Sequence, residues 1–204
     1  MAELAALPEA DMVVCAVVGM AGLAPVLAAL DQGTDVALAT KEVMVAAGEL
    51  VNSVARRTGA KLIPVDSEHN AIFQCLEGRE PESVKRLIVT ASGGPFLTQP
   101  DLDFRTVTVE QALNHPRWDM GAKISIDSAT MMNKGLELIE ARWLFDIELD
   151  RIDVIIHPES IIHSMVEFLD GSILAQLSPT DVRFAIQYAL SYPRRLESSI
   201  EGLD

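Results

Sequence analysis

Cysteine and basic residues are scarce in this sequence, and both shortages narrow the classes of protein it can belong to. The chain has two cysteines, Cys15 in an apolar strand-like run and Cys75 in a helical one, and no CxxC spacing. We therefore expect buried free thiols in a reducing compartment rather than a disulfide framework. Lysines and arginines number 16 against 30 acidic residues, for a net charge of −14. This balance argues against a nucleic acid partner, because a phosphate backbone requires a basic surface.

The sequence also shows no pattern typical of a targeting segment, a membrane segment or a dinucleotide-binding turn. The N-terminus is rich in alanine and leucine, but Glu3, Glu9 and Asp11 interrupt it and no basic stretch precedes it. We therefore expect no signal peptide, and the longest apolar runs are too short to cross a bilayer. No strand is followed by a GxGxxG turn, so a complete dinucleotide phosphate loop is not expected.

The composition that remains is that of a globular protein, with 49% hydrophobic and 23% charged residues in a chain of 204. Apolar, strand-like runs occupy residues 12–18, 36–39 and 61–65, and helical patterns occupy residues 21–30 and 43–58. Strands that are apolar throughout indicate a parallel sheet covered by helices on both faces. Ligands at such sheets bind beyond the carboxyl ends of the strands, where this chain has Gly19, Thr40-Lys41-Glu42 and Asp66-Ser67-Glu68.

After residue 65 the pattern becomes that of an α+β domain. Strands are predicted over residues 87–90, 123–126, 152–157, 163–168 and 172–176, and helices over 70–76, 109–114 and 180–188. Asp170-Gly171 between two strand-like runs is a strong hairpin signal. We therefore predict an α/β fold in which a partial, Rossmann-like parallel sheet in residues 1–65 precedes an α+β domain with a mixed sheet in residues 66–204.

Residues 127–143 are the most informative stretch. They predict a helix with an apolar stripe at helical spacing, formed by Met132, Leu136, Ile139 and Trp143. Asn133 and Glu137 lie four residues apart on a neighbouring face, with Lys134 and Ser128 close by. Free N–H groups and the helix dipole favour an anionic ligand at such a helix start. An ordinary amphipathic helix with a polar cap would show the same pattern.

Asp66 and Glu68 lie two residues apart just after a predicted strand. Together with Glu137 they would offer three hard oxygen ligands, which suits Mg²⁺ or Mn²⁺. In a chain with 30 acidic residues such a pair also arises by chance, and a solvated surface pair is the alternative.

Two other segments carry groups that can contact a ligand. Ser92-Gly93-Gly94 follows a strand, and its N–H groups and hydroxyl can bind an anion or simply end the strand. His115, Trp118 and Met120 lie in a loop bounded by proline and glycine, which is typical of a lid that excludes water. The alternative is that these side chains pack into the core.

Six segments occur in a fixed order: ATKE at 39–42, PVDSEHNAIF at 64–73, ASGGPF at 91–96, HPRWDMG at 115–121, KISIDSATMMNKGLE at 123–137 and HPESIIHSM at 157–165. Together they closely resemble the 1-deoxy-D-xylulose 5-phosphate reductoisomerase family. That family is NADPH- and metal-dependent, and it makes 2-C-methyl-D-erythritol 4-phosphate for isoprenoid synthesis by the non-mevalonate pathway.

The resemblance implies roles for individual residues. Mn²⁺ or Mg²⁺ would be held by Asp66, Glu68 and Glu137. The sugar-phosphate substrate would contact Ser67, Ser92, His115, Ser128, Asn133, Lys134 and Glu137. The catalytic group would comprise Lys41, His115, Trp118, Met120 and His163, although a histidine between strand residues is more often structural. NADPH would contact Gly19, Thr40 and Glu42, with Thr40 standing where the family has asparagine.

The resemblance also bears on how much of an enzyme is present. The family begins with a glycine-rich turn that cradles the NADPH phosphates and ends with a helical domain, and neither pattern occurs here. We therefore expect the C-terminal half of a dinucleotide-binding domain in residues 1–65 and the central catalytic domain in residues 66–204. A homodimer in a bacterial cytoplasm or plastid stroma is implied as well. The alternative is a truncated, non-catalytic fragment that binds metal and sugar phosphate, or only dimerises.

Overall fold

Two β-sheets and eight α-helices make up the structure, a computed structural model that describes all 204 residues. The strands are β1 Met12–Cys15, β2 Asp35–Leu38, β3 Leu62–Pro64, β4 Val84–Ala91, β5 Ile152–Ile156, β6 Ile162–Phe168 and β7 Ile173–Leu177. The helices are α1 Ala2–Ala5, α2 Leu23–Asp31, α3 Lys41–Thr58, α4 Ser67–Leu76, α5 Val109–Leu113, α6 Ala122–Ala129, α7 Met132–Leu144 and α8 Arg183–Ser191.

The first sheet has the order β1-β2-β3, and both of its strand pairings are parallel, as the sequence predicted. Successive side chains of β2 point to opposite faces of the sheet, because the backbone of a strand is pleated. Val36 and Leu38 pack in a core with α2 and α3, whereas Ala37 packs with Ile63 and with Ala189 of α8. The sheet is thus covered on both faces, which explains why its strands are apolar throughout.

The second sheet is mixed, also as predicted, with the order β5-β4-β6-β7. Strands β4 and β5 are parallel, while β4 with β6 and β6 with β7 are antiparallel. The Asp170-Gly171 turn joins β6 to β7, and Gly171 has the left-handed φ of +84° that hairpin turns require. Leu87, Val89 and Val166 of this sheet pack against Ile72 of α4 and Ala141 of α7.

Helices α3 and α7 connect the two halves of the chain. A Cβ atom added at Gly48 would lie 2.2 Å from Cγ of Trp143, so only glycine permits this approach of α3 to α7. Asn52 of α3 also donates a hydrogen bond to the carbonyl oxygen of Trp143 at 2.6 Å. This packing matters for the site below, because α3 and α7 each supply charged side chains to it.

The predicted strand over residues 123–126 is wrong, since these residues form part of helix α6. The alternation of Lys123, Ile124, Ser125 and Ile126 matches a strand period, but the segment joins neither sheet. The segment instead makes helical bonds, such as Ser125 N–H to the Gly121 carbonyl at 3.1 Å, and packs against α5 and α7. Tertiary context therefore overrides the local pattern.

Helix α7 forms where it was predicted, but its apolar stripe is only partly buried, with Trp143 packed against the first core. Met132 is 55% exposed and Ile139 is 37% exposed. The buried face instead carries Lys134, Glu137, Glu140 and Ala141. Charged side chains can occupy this face because they pair with one another and with groups from α3 and α4.

No helix in the structure has the length and hydropathy needed to span a membrane.

The two sheets draw their strands from residues 12–64 and 84–177, while helix α8 returns to cover the first sheet. The division of the chain at residue 65 stays a prediction.

Candidate metal and substrate site

A cavity of about 270 Å³ lies beyond the carboxyl ends of β2, β3 and β4. Strand ends of this kind leave backbone groups and polar side chains free to meet a ligand. Thirteen of the sixteen predicted site residues line it: Lys41, Asp66, Ser67, Glu68, Ser92, His115, Trp118, Met120, Ser128, Asn133, Lys134, Glu137 and His163.

The three predicted metal ligands converge in this cavity. Asp66 is the N-terminal cap residue of α4, Glu68 lies in the first turn of that helix, and Glu137 lies on the buried face of α7. One carboxylate oxygen from each of the three lies within 4.8 Å of the others. Two elements separated by about 70 residues in sequence thus supply one group of oxygen donors.

Two lysines hold the carboxylates together. The Lys41 ammonium lies 2.5 Å from Oδ2 of Asp66 and 3.1 Å from Oε1 of Glu137. The Lys134 ammonium lies 2.8 Å from Oε1 of Glu68 and also bonds the second oxygen of Glu137. Both lysines are buried, so each ammonium depends on carboxylates rather than on water for its hydrogen bonds.

Burial and pairing act in opposite directions on the pKa values of these groups. Burial lowers the pKa of Lys41, but Asp66 and Glu137 outweigh it and the net pKa is raised well above its ordinary value. Burial opposes ionisation of Asp66, yet the Lys41 ammonium and neighbouring donors hold the pKa of that carboxyl well below its usual range. For Glu68, burial and repulsion by Glu137 outweigh the attraction of Lys134, so its pKa is raised.

Three carboxylates share two ammonium groups, so the cluster carries one excess negative charge when all five groups are ionised. A divalent cation would remove this excess of negative charge. The donors are carboxylate oxygens, which are the hard ligands that Mg²⁺ and Mn²⁺ prefer. The residues present therefore fit the predicted metal, and their role as ligands stays a prediction.

Ser92 and His115 form a hydrogen-bonded pair in the lining of the cavity. Nδ1 of His115 accepts from the backbone N–H groups of Arg117 at 3.1 Å and Trp118 at 3.0 Å, so its hydrogen lies on Nε2. Nε2 then donates to Oγ of Ser92 at 2.9 Å, and Gly94 N–H donates to the same oxygen at 3.3 Å. With Oγ occupied as an acceptor, the Ser92 hydroxyl hydrogen is free to be donated to an anion. Partial burial also lowers the pKa of His115, which favours this neutral form.

The turn after β4 lies directly against the end of α6. A Cβ atom at Gly94 would come 2.7 Å from the carbonyl oxygen of Ser128, and the φ of +73° also favours glycine there. The hydroxyl-bearing residues Ser92 and Ser128 therefore lie on adjacent backbone segments. This arrangement suits an oxyanion that accepts from both.

Asn133 and Lys134 face the carboxylates in this structure. Asn133 accepts from the Lys41 ammonium at 2.8 Å through Oδ1 and donates to Glu137 through Nδ2. A phosphate that binds Lys134 would therefore share its ammonium with Glu68 and Glu137. Their predicted contact with substrate phosphate stays a prediction.

The predicted lid residues lie in the cavity wall. His115, Trp118 and Met120 are half-buried, while their neighbours Pro116 and Arg117 are exposed. The Trp118 and Met120 side chains thus face the site rather than the core, and Arg117 donates to the Pro158 carbonyl at 3.1 Å across the loop. His163 is buried, with Nε2 3.2 Å from the Ser178 carbonyl oxygen, and its ring also lines the cavity.

The three predicted cofactor residues lie outside the cavity. Gly19 begins a 3₁₀ turn after β1, and Thr40 is buried with its hydroxyl donated to the Val17 carbonyl at 2.5 Å. Glu42 binds the Lys123 ammonium at 2.5 Å. All three follow the carboxyl ends of β1 or β2, the edge where a dinucleotide binds such sheets.

Three residues near the site were assigned no role from the sequence. His69 and Glu140 form a fully buried pair behind the carboxylates, with Nδ1 and Oε2 3.5 Å apart. Burial, with repulsion from Asp66, raises the pKa of Glu140 to about 7. Ser160 lines the cavity with a φ of +54°, which is uncommon for a residue other than glycine. The spacing of Glu140 three residues after Glu137 was the available signal for that residue.

Comparisons with known proteins agree with the segments that suggested this site. Residues 62–145 match the family model described as the 1-deoxy-D-xylulose 5-phosphate reductoisomerase C-terminal domain, and residues 1–48 match the model described as 1-deoxy-D-xylulose 5-phosphate reductoisomerase.

Curated relatives with that name are found in Symbiobacterium thermophilum and Thermoanaerobacter pseudethanolicus. The first is 59% identical over 197 residues, covering 97% of this chain and 50% of the relative. The second is 60% identical over 187 residues, covering 92% and 49%. The chain spans about half the length of the curated relatives it matches.

Solved structures are similar over the whole chain. A crystal structure of DOX-P reductoisomerase in complex with NADPH, fosmidomycin and magnesium superposes with a TM-score of 0.93 at 49% identity, covering 100% of this chain and 52% of that one. The enzyme from Zymomonas mobilis in complex with NADPH gives a TM-score of 0.91 at 52% identity, with the same coverages.

Proposed function

The chain belongs to the 1-deoxy-D-xylulose 5-phosphate reductoisomerase family, and from this we propose that it provides the metal- and sugar-phosphate-binding part of that enzyme. The reaction would convert 1-deoxy-D-xylulose 5-phosphate to 2-C-methyl-D-erythritol 4-phosphate with NADPH as the reductant. The observation that carries the proposal is the convergence of Asp66, Glu68 and Glu137 from two separate elements.

Asp66, Glu68 and Glu137 would hold Mg²⁺ or Mn²⁺. A bound cation of this kind acts as a Lewis acid and a template for substrate oxygens. The protein's own contribution is to keep the three carboxylates close together against their mutual repulsion. Lys41 and Lys134 do this by bridging Glu137 to Asp66 and to Glu68.

Ser92, Ser128, Asn133 and Lys134 would bind the substrate phosphate. The Ser92 hydroxyl hydrogen is free for this purpose because its oxygen already accepts from His115 and Gly94. The phosphate is remote from the reacting carbons, so its binding energy orients them toward the carboxylates. Ser67, next to both acidic ligands, would contact the sugar.

Closure of the loop that carries Trp118 and Met120 would exclude water from the reacting groups. His115 connects this loop to the phosphate turn, since it bonds Ser92 on one side and the backbone of the loop on the other. Phosphate binding and loop position are therefore linked through one imidazole. Lys41 and His163 would complete the catalytic group.

NADPH, when bound, supplies a hydride. Gly19, Thr40 and Glu42 lie at the carboxyl edge of the parallel sheet, which supports a place for them near the cofactor. The chain carries no glycine-rich phosphate turn of its own. Hydride transfer is accordingly proposed for the longer protein to which the relatives correspond.

A second function belongs to another class, a binding module without turnover. The three converging carboxylates all belong to this chain, which favours binding by the chain as it stands. We further propose the domain boundary at residue 65, a homodimer, and a bacterial cytoplasmic location, the last supported by the bacterial origin of the relatives.

Two measurements separate these functions. Calorimetric titration of the chain with Mn²⁺, then with fosmidomycin in the presence of Mn²⁺, tests the metal and substrate site. NADPH oxidation with 1-deoxy-D-xylulose 5-phosphate and Mn²⁺ tests turnover. Binding with no oxidation would support the module, oxidation would support the complete reaction, and no Mn²⁺ binding would contradict both.

A further inference from the structure

The proposed metal ligands lie on two helices, α4 and α7, that are distant from each other in the sequence. Asp66 and Glu68 lie at the start of α4, whereas Glu137 lies on α7. Three carboxylates repel one another, so their separation depends on groups that join the two helices directly. His69 is such a group, because it belongs to α4 and its Nε2 lies 2.9 Å from the main-chain carbonyl oxygen of Glu137.

Glu140 lies one turn further along α7 and approaches the other side of the same imidazole. Its Oε2 is 3.5 Å from Nδ1 of His69, and the two side chains are 1% and 0% exposed. The ring of Phe145 stacks on His69 with a centroid distance of 6.3 Å and an interplanar angle of 10°. Imidazole and carboxyl therefore have no solvent to bind and are held between two helices.

The hydrogen bonds of this pair are limited by its surroundings. The Nε2 hydrogen is donated to the Glu137 carbonyl, and neither Nδ1 nor either Glu140 oxygen forms a hydrogen bond. Nδ1 and Oε2 of Glu140 are nevertheless in contact at 3.5 Å inside a buried region, so each is the polar neighbour of the other. A buried polar group that loses its partner is destabilised, so each member keeps the other in place.

We propose that His69 and Glu140 are positioning residues that fix the distance between Asp66/Glu68 and Glu137, and thereby set the affinity of the site for a divalent cation. This inference depends on the proposed metal site. His69 joins α4 to the turn of α7 that carries Glu137, and Glu140 prevents the imidazole from rotating away. The pair acts from behind the ligands, as outer groups around metal sites do.

A second cation held by Asp66, His69 and Glu140 is the competing explanation, since donor atoms of these residues also lie within 4.8 Å of one another. The net charge of the surrounding groups argues against a second cation. Counting Glu140, four carboxylates surround two lysines, so one divalent cation already brings the fully ionised cluster to neutrality. A further divalent ion would leave two uncompensated positive charges in a buried region.

The test is the Mn²⁺ affinity of the chain by calorimetry, with free Mn²⁺ counted by electron paramagnetic resonance. Glu140→Leu removes the partner of Nδ1 and should weaken Mn²⁺ binding by about 10- to 100-fold, the range seen for outer groups at metal sites. Glu140→Gln supplies an N–H to Nδ1 at nearly the same shape and should restore most of the affinity. Both variants lack the charge of Glu140. If the residue contributed only to stability, the two would therefore have the same Mn²⁺ affinity.

The matched control is Glu167→Gln, which alters a carboxylate that is also buried but lies on β6, bonded to Lys85 and Arg86. It should lower stability and leave Mn²⁺ affinity unchanged. Should Glu140→Leu fail to fold, Glu140→Asp withdraws the carboxyl by about one bond length of 1.5 Å and should weaken binding less severely.

The outcomes are distinct. Failure of the unmodified chain to bind Mn²⁺ contradicts the proposed function itself. Tight binding by the unmodified chain with equal affinity in Glu140→Leu, or in Glu140→Asp if that variant is needed, overturns the positioning pair alone. Two Mn²⁺ ions per unmodified chain would replace the pair with a second cation site.

Discussion

Replacing Glu137 by glutamine tests the centre of the site with the smallest change of shape. Glu137 is 1% exposed and accepts hydrogen bonds from Lys41, Asn133 and Lys134. Glutamine keeps the volume but removes the charge and turns an N–H group toward donors. The substitution therefore acts on both stability and metal affinity, and the two effects can be measured separately.

The stability effect follows from the ion pairs. Removing one partner of a buried pair costs about 3–5 kcal/mol. Each lysine keeps a second carboxylate, Asp66 at 2.5 Å from Lys41 and Glu68 at 2.8 Å from Lys134, so we expect the lower end, about 3 kcal/mol. In a chain of this length that corresponds to a fall in melting temperature of roughly 6–12 °C without metal.

The metal effect follows from ligand number. Changes in outer groups alone weaken metal binding 10- to 100-fold, so loss of one of three anionic ligands should cost at least about 100-fold. At a Mn²⁺ concentration of about 1,000 times the original Kd, the unmodified chain gains roughly 4 kcal/mol of stability. The variant, then at about 10 times its own Kd, gains only roughly 1.4 kcal/mol.

The assay is thermal unfolding with and without Mn²⁺, supported by calorimetric titration. Glu167→Gln serves again as the control, because it removes a buried carboxylate that does not line the cavity and should leave the Mn²⁺-induced rise in melting temperature intact. If Glu137→Gln and the unmodified chain show the same Mn²⁺-induced rise, Glu137 is not a metal ligand and the proposed site is wrong.

Three other predictions concern different parts of the molecule. Lys134→Ala should weaken binding of a phosphorylated ligand by about 1.5–3 kcal/mol through loss of a charge-assisted bond, and an equal loss for a ligand without phosphate, both by calorimetry, would contradict that role. Gly48→Ala should destabilise the chain by about 1–3 kcal/mol in urea unfolding, because the added methyl group overlaps the Trp143 ring; unchanged stability would disprove the close α3–α7 contact. Burial raises the pKa of the Cys75 thiol to about 11, so at pH 8 about one thiol in a thousand is ionised. Iodoacetamide should therefore label Cys75 far more slowly in the folded chain than in urea, and equal rates would show that the thiol is accessible.

Local pattern predicted most of the secondary structure correctly. The apolar runs before Gly19, Thr40 and Asp66 do form a parallel sheet, and the Asp170-Gly171 turn does form a hairpin. Those signals are local or depend on burial on both faces, so they are visible in a few consecutive residues. The error at residues 123–126 arose because alternation alone does not supply a strand to pair with.

For the site, the family motifs pointed to the residues that line the cavity, but their pairings were not readable from the chain. Lys41 was expected in the catalytic group and Lys134 at the phosphate, and in the structure both bind carboxylates. No role was predicted for His69 or Glu140, since the spacing of Glu140 after Glu137 does not reveal that His69 of α4 lies against it.

The order of strands, turns and helices, and the acidic residues placed after a strand, were determined by the sequence itself, since each depends on neighbours a few positions away. Which face of α7 is buried was decided by the folded structure. Met132 and Ile139 are exposed, because the lysines of α3 and α7 and the carboxylates of α4 make the charged face the buried one. The reason is that burial of a charge is favourable only when partners are in place, and those partners come from elements distant in the chain.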